Sequence, residues 1–355
     1  MLVHQMVASL TFGDAIGNEA LRIQSVLRSH GVESEIYAES TDSVMSGRAR
    51  ELSQYPSMVS LDNVLLLHFS IGSKSASLAR ELPDRLLLRY HNITPAHWFA
   101  DFAPKVARQC SRGRQELAAF VERTALALGV SEYNRSELEG LGFQPTGVLP
   151  LLSDPDRLAA SPSPVVEALF DDDLTNFLFV GRVIPNKRLE DVMKVVKYYQ
   201  RFIDRKCRLI FVGEWRDFER YYESLVGFAD ALDLKNVEFP GRVSTEELVA
   251  YYRVADVFLC MSEHEGFCAP LLEAYEMGVP VIAYDTGAVS ETLGGAGILL
   301  HEKKIDEIAE LAHLLVTDPE LRDRVLSAQD RAFDERISQN DGEQLMRFVE
   351  RVSRS

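Results

Sequence analysis

Residues 257–300, VFLCMSEHEGFCAPLLEAYEMGVPVIAYDTGAVSETLGGAGILL, limit the fold more than any other part of the chain. Residues 257–261 form an apolar run too short for a helix and bounded by polar residues, which suits a strand buried on both faces. Residues 262–269 are polar around Gly266 and form a loop. Pro270 fits the first helical position, where its missing N–H removes no bond. The helix PLLEAYEM then stops at Gly278, and residues 279–283 form the next strand, with Pro280 near its start. Two consecutive buried strands joined by a helix require a parallel βαβ unit, so the fold class is α/β.

The loop carries the chemistry. The amides of Phe267, Cys268 and Ala269 precede a helix N-terminus and have no intrahelical acceptors. Together with the helix dipole they favour an anion, phosphate above all. Glu265 lies on one side of them, and Glu273 lies one turn inside the helix. A carboxylate opposes phosphate alone, but it accepts hydrogen bonds from a vicinal diol. The pattern expects a ligand that carries hydroxyls on both flanks of a phosphate. The plainer use of the same residues is a capping loop with two solvated glutamates.

At 355 residues the chain has room for two domains. Its net charge of -16 argues against nucleic acid held by bulk electrostatics. Cys110, Cys207, Cys260 and Cys268 form no C-x-x-C pair and have no zinc-like histidine spacing, which suits reduced thiols in a cytoplasmic protein. The N-terminal residues have no basic, apolar leader pattern, and no apolar run is long enough to span a bilayer.

From the N-terminus, a strand at residues 2–8 leads through Gly13 and Gly17 into a helix and then a strand at residues 33–38. The Gly13-x3-Gly17 spacing is not a dinucleotide fingerprint, and a turn glycine before a helix is its plainer reading. Strands are expected at residues 63–69, 85–90, 126–130 and 147–150. His91 follows the second of these, at the strand end where open parallel sheets bind ligands. Residues 153–174, rich in Pro, Asp and Ser, read as a linker between domains 1–152 and 175–335, with residues 336–355 forming a last helix. In the second domain, Arg182 and Lys187 follow the strand NFLFVG, and Arg242 and Val243 follow VEFPG. Arg182 and Lys187 supply the cations that a leaving diphosphate needs where the sequence spacing offers no metal site.

The chain resembles glycosyltransferase family 4, whose fold is GT-B. The resemblance rests on E-x7-E at Glu265 and Glu273, on VGR-x4-K from Val180 to Lys187, and on LGVSEYNRSELEGLGF at the end of the first domain. It implies two Rossmann-like β/α/β domains facing across a cleft, with the last helix crossing back to the first. It also implies retaining transfer of a hexose from a nucleotide-diphosphate sugar, without metal or other cofactor. Arg182 and Lys187 would hold the diphosphate. Glu265 and His91 would meet the donor sugar, and Glu273 the ribose diol. Phe267, Cys268 and Ala269 would meet sugar and phosphate through their amides. Arg242 and Val243 would meet the base, and Gly13 and Gly17 would approach the phosphates. The family usually has glycine where this chain has Cys268, which leaves open how closely the donor approaches there.

Members of this kind often use GDP-mannose or UDP-glucose in building bacterial surface polysaccharide, so a saccharide or lipid-linked saccharide acceptor is expected. A non-catalytic nucleotide-sugar-binding partner is the rival reading. Lys105, Arg108, Arg112 and Arg114 read first as a solvated helix face. Their other use is a peripheral contact with anionic lipid at the inner membrane face.

Overall fold

The structure is a computed structural model and describes residues 2–152, 157–339 and 342–354. The chain divides into two compact units. One comprises Met1–Ala100, Pro104–Asp154 and Ile337–Ser355. The other comprises Asp101–Ala103 and Pro155–Arg336.

The first unit is built on seven strands: β1 (Val3–Leu10), β2 (Ile36–Thr41), β3 (Arg50–Glu51), β4 (Val64–Phe69), β5 (Arg85–Tyr90), β6 (Thr124–Gly129) and β7 (Thr146–Val148). Their order is β3-β2-β1-β4-β5-β6-β7, and every neighbouring pair is parallel. The leucine-rich runs of β4 and β5 are buried throughout because helices cover both sheet faces, the condition for an all-parallel sheet. The C-terminal helix Glu343–Ser353 puts Leu345, Val349 and Val352 on one face. Those three join Leu66, Leu87 and Leu128 in one apolar cluster, so the end of the chain completes the first unit's core.

The second unit has six strands: β8 (Thr175–Val180), β9 (Cys207–Val212), β10 (Val237–Gly241), β11 (Val257–Cys260), β12 (Val281–Tyr284) and β13 (Ile298–Leu300). Their order is β10-β9-β8-β11-β12-β13, again parallel throughout. Each unit is therefore a Rossmann-like parallel sheet. In each, the order reverses beside a central strand, at β1/β4 and at β8/β11. Loops leaving such a reversal diverge and open a crevice for ligand.

The stretch read as a linker, residues 153–174, is not all linker. Its described part contains the helix Pro164–Leu169, whose Val166 is buried in the second unit's core. Pro164 is the first residue of this helix rather than a breaker. Ser163 N–H donates to the Glu246 carbonyl at 2.9 Å and ties the segment down. Among the described residues, no helix is long and apolar enough to cross a membrane.

Candidate functional site

The candidate residues gather in two clusters, one in each unit. In the second, Lys187 ends a single 3-10 turn, Pro185–Lys187, just after β8. Asn186 of that turn fixes the loop after β11: its Nδ2 donates to the His264 carbonyl at 3.0 Å, and its carbonyl accepts from Glu263 N–H at 2.8 Å. These bonds place the Lys187 ammonium 2.6 Å from Glu265 Oε1. The two side chains are only 16% and 6% exposed, so this is a desolvated ion pair. Burial alone would lower the lysine's pKa, but the Glu265 carboxylate beside it outweighs burial and holds Lys187 charged, above its usual value. Glu265 is also held through its backbone, where its carbonyl accepts Ala288 N–H at 3.0 Å. Gly287 packs directly on that carbonyl, and any Cβ there would collide with it.

The helix beyond runs Ala269–Glu276, starting one residue before the expected Pro270. Its cap is Cys268 at φ 73°, ψ 63°. The position usually filled by glycine thus keeps a glycine-like left-handed backbone in this chain, at a cost of about 1–2 kcal/mol for an L-residue. The Cys268 thiol turns into the core, with Sγ 3.9 Å from Cys260 Sγ. The hydrogen bond shared with Cys260, together with burial, holds the Cys268 thiol well above its ordinary pKa. Phe267 is buried, accepts the Thr292 hydroxyl at its carbonyl, and lies under the Arg336 guanidinium at 5.6 Å.

Glu273 is engaged on both oxygens. Arg157 Nη2 donates to Oε1 at 2.6 Å, and the Tyr252 hydroxyl donates to Oε2 at 2.8 Å. Each carboxylate oxygen keeps a further lone pair for a diol. The sequence reading missed Arg157, which falls in the stretch taken as a linker. Arg182 is exposed and makes no ion pair among the described residues. Arg242 Nε is 3.4 Å from Glu214 Oε2, and Val243 packs at the edge of the apolar core.

In the first unit, Gly13 turns the chain at φ 74°. A Cβ on Gly17 would sit 3.1 Å from the Thr11 carbonyl oxygen. Asp14 caps the helix Ala15–Ser29 by accepting the Ile16 and Gly17 amides at 3.2 Å each. That helix start thus carries its own carboxylate, and the turn itself accounts for both glycines.

His91 meets His68, Glu19 and Arg89, none of which the sequence reading singled out. His68 Nδ1 is 2.9 Å from His91 Nε2, and the rings stack at 5.2 Å and 17°. Glu19 Oε2 is 3.5 Å from His91 Nε2. Arg89, fully buried, pairs with Glu19 and donates to the carbonyls of Gly129, Leu149 and Pro150. Burial, and then Arg89, pushes the His68 pKa down to about 3. Burial first, with His68 and Arg89 after it, holds His91 well below its ordinary value. Both shifts favour the neutral ring at neutral pH.

This predicts a pH dependence. Below the ordinary histidine pKa, the unfolded chain binds protons that the folded chain refuses, so stability rises with pH and is lost on acidification. Each buried ring contributes a slope approaching about 1.4 kcal/mol per pH unit below roughly pH 6.5. Urea midpoints should fall between about pH 7.5 and pH 5, and fall less steeply in a His68→Gln variant. Equal slopes in the two proteins would contradict this origin.

Among the described residues, two groups could hold a metal ion: Glu19, His68 and His91, and Cys260, Glu265 and Cys268. Sequence spacing does not reveal them, because their members come from separate elements. In both, a fixed cation already serves the carboxylate, Arg89 in one and Lys187 in the other.

Residues 166–330 match the family described as glycosyl transferases group 1. The O-antigen chain mannosyltransferase B of Escherichia coli is 26% identical over 57% of this chain and 53% of its own length. A GDP-mannose-dependent phosphatidylinositol monomannoside mannosyltransferase of Mycobacterium tuberculosis is 28% identical over 60% of this chain and 57% of its own length. The chain thus spans little more than half the length of these relatives. HepE of Anabaena, solved in complex with UDP-glucose, is similar in fold, with a TM-score of 0.72 and 14% identity over 98% of both chains. WaaG, a glycosyltransferase involved in lipopolysaccharide biosynthesis, has a TM-score of 0.68 and 14% identity over 94% of this chain and 95% of its own.

Proposed function

We propose, on the premise that residues 166–330 belong to the group 1 glycosyl transferases, that this chain is a retaining, metal-independent transferase of a hexose from a nucleotide-diphosphate sugar. One observation carries the reading: the Lys187–Glu265 pair, fixed in the loop that leads into the amides of Phe267, Cys268 and Ala269. The cation and the amides suit a diphosphate whose charge grows as it leaves, and the carboxylate suits sugar hydroxyls. Arg182, exposed just beyond β8, is the second cation. Glu273 takes the ribose diol, and Arg242 and Val243 border the base; in the first unit, His91 offers a ring nitrogen to the hydroxyl of a sugar. Mannose is favoured by the names of the sequence relatives, and glucose by the ligand of HepE. The acceptor is a saccharide or lipid-linked saccharide of the surface-polysaccharide kind, as the O-antigen relative suggests.

The acceptor hydroxyl attacks the anomeric carbon on the face from which the diphosphate departs. The new C–O bond forms as the bond from the anomeric carbon to the phosphate oxygen breaks, and the hydroxyl proton passes to a leaving phosphate oxygen. No side chain is required as base. Lys187, Arg182 and the amides neutralise the leaving group, while Glu265 holds the sugar in line.

The rival reading, a binding protein without transfer activity, rested on Cys268. The left-handed backbone and inward thiol of that residue reduce its force. Of the basic run, Arg112 pairs with Glu116 and Arg114 with Glu137, leaving Lys105 and Arg108, among the described residues, as its cations for an anionic surface. The test is to incubate the protein with sugar nucleotide and saccharide acceptors in chelator, then read the product's anomeric configuration by NMR. Retention is expected, while inversion, or dependence on added metal, would overturn the reading.

A further inference from the structure

The hydrogen bonds behind His91 form a chain with a fixed direction. Gln5 of β1 donates from Nε2 to the Ala20 carbonyl at 3.0 Å. A carbonyl cannot donate, so this contact fixes which end of the amide is which. Gln5 Oε1 then faces His68 Nε2 at 2.9 Å and can only accept, so His68 carries its proton on Nε2. A neutral His68 leaves Nδ1 as an acceptor, and the partner 2.9 Å away is His91 Nε2. His91 must therefore donate from Nε2, which places that N–H within 3.5 Å of the Glu19 carboxylate as well. The reversed chain would set the Gln5 carbonyl oxygen against either a bare nitrogen or the Ala20 carbonyl. The charged groups around the rings are Glu19 from the helix Ala15–Ser29 and Arg89 from β5, and they neutralise each other.

We infer that Gln5 and His68 are positioning residues that lock His91 in its neutral Nε2–H tautomer. Its Nδ1 is then a pure hydrogen-bond acceptor, suited to a ligand hydroxyl and opposed to an anionic group. This specificity at His91 rests on the proposed transfer reaction for its substrate, but the lock itself does not. A protonated imidazole would attract phosphate or carboxylate. A bare ring nitrogen, 5% exposed as part of His91, repels both and takes an O–H.

The test reads the proton directly. Side-chain 1H–15N correlation spectra of the full chain, 15N-labelled at histidine, should give His91 a protonated Nε2 and an unprotonated Nδ1, unchanged from about pH 8 to about pH 6. A His91 protonated at Nδ1, or titrating in that range, would overturn the lock, and no variant is needed to see it. Gln5→Met removes the acceptor at similar length, and His91 should then populate both tautomers. With the donor established, the same variant should lose about a hundredfold in turnover through misorientation. Full turnover in Gln5→Met despite mixed tautomers would reduce the chain to a packing feature and sink the positioning role. Absence of any transfer by the native protein would count against the proposed reaction and leave the spectroscopic result standing.

Discussion

Lys187→Ala is expected to lower turnover at least about a hundredfold, because one preorganised charge facing a leaving group is worth roughly 3–4 kcal/mol. The ammonium has two tasks in this account. In the free protein it neutralises Glu265, whose side chain is 6% exposed. In the proposed reaction it would face the departing diphosphate. Removing it leaves a buried carboxylate without its cation, which costs about 3–5 kcal/mol. The variant should therefore also unfold earlier in urea. The two effects separate in the double variant Lys187→Met with Glu265→Gln. That protein buries no lone charge and should recover most of the stability without recovering turnover. Steady-state kinetics and urea midpoints on the three proteins test the assignment. Turnover within about threefold of the native protein's in a folded Lys187→Ala protein would end it.

The second large effect is on stability alone. Arg89 is fully buried, pairs with Glu19, and donates to three backbone carbonyls where β6 and the chain beyond β7 approach it. Arg89→Met keeps much of the volume but strands Glu19, a carboxylate whose burial already raises its pKa against the pull of Arg89. The expected loss is about 3–5 kcal/mol. Adding Glu19→Gln should return part of it, since an amide is cheaper to bury than a lone carboxylate. The carbonyls of Gly129, Leu149 and Pro150 stay without their donor, so recovery should be incomplete. Urea unfolding decides it, and a loss below about 1 kcal/mol would mean that water replaces the guanidinium.

Neither pair could be read from the sequence in the same way. Most strands were legible because each is a short apolar run between polar stops, and RLLLRY at residues 85–90 is β5 to the residue; β3, the charged pair Arg50–Glu51, carries no such pattern and was not expected. That same legibility concealed Arg89 and His68, each a polar residue inside an apolar strand whose partner lies far along the chain. The pairing of Arg89 with Glu19 spans 70 residues, and no local pattern encodes it. The signal was present all the same: a charge in a run buried on both faces demands a buried counter-charge. Glu265 and Lys187 were legible because both follow strand ends and their residue types fit one chemistry. Their contact was not, because it depends on the amide of Asn186 bridging two loops. Pro164 misled because proline marks linkers and helix starts alike, and only the burial of Val166 tells them apart. At Cys268 the departure from glycine was visible, but the inward turn of the thiol that accommodates it was not.

The proposed site holds a diphosphate with side chains and amides of residues 182–273 and without a metal. Its most direct test is a calorimetric titration of the purified protein with GDP-mannose, UDP-glucose and the free nucleotides, in the presence of chelator. One sugar nucleotide is expected to bind in chelator, and Lys187→Met with Glu265→Gln to weaken that binding by at least about tenfold, or roughly 1.4 kcal/mol. Binding that appears only when metal is restored, or equal affinity in native and double-variant proteins, would contradict it.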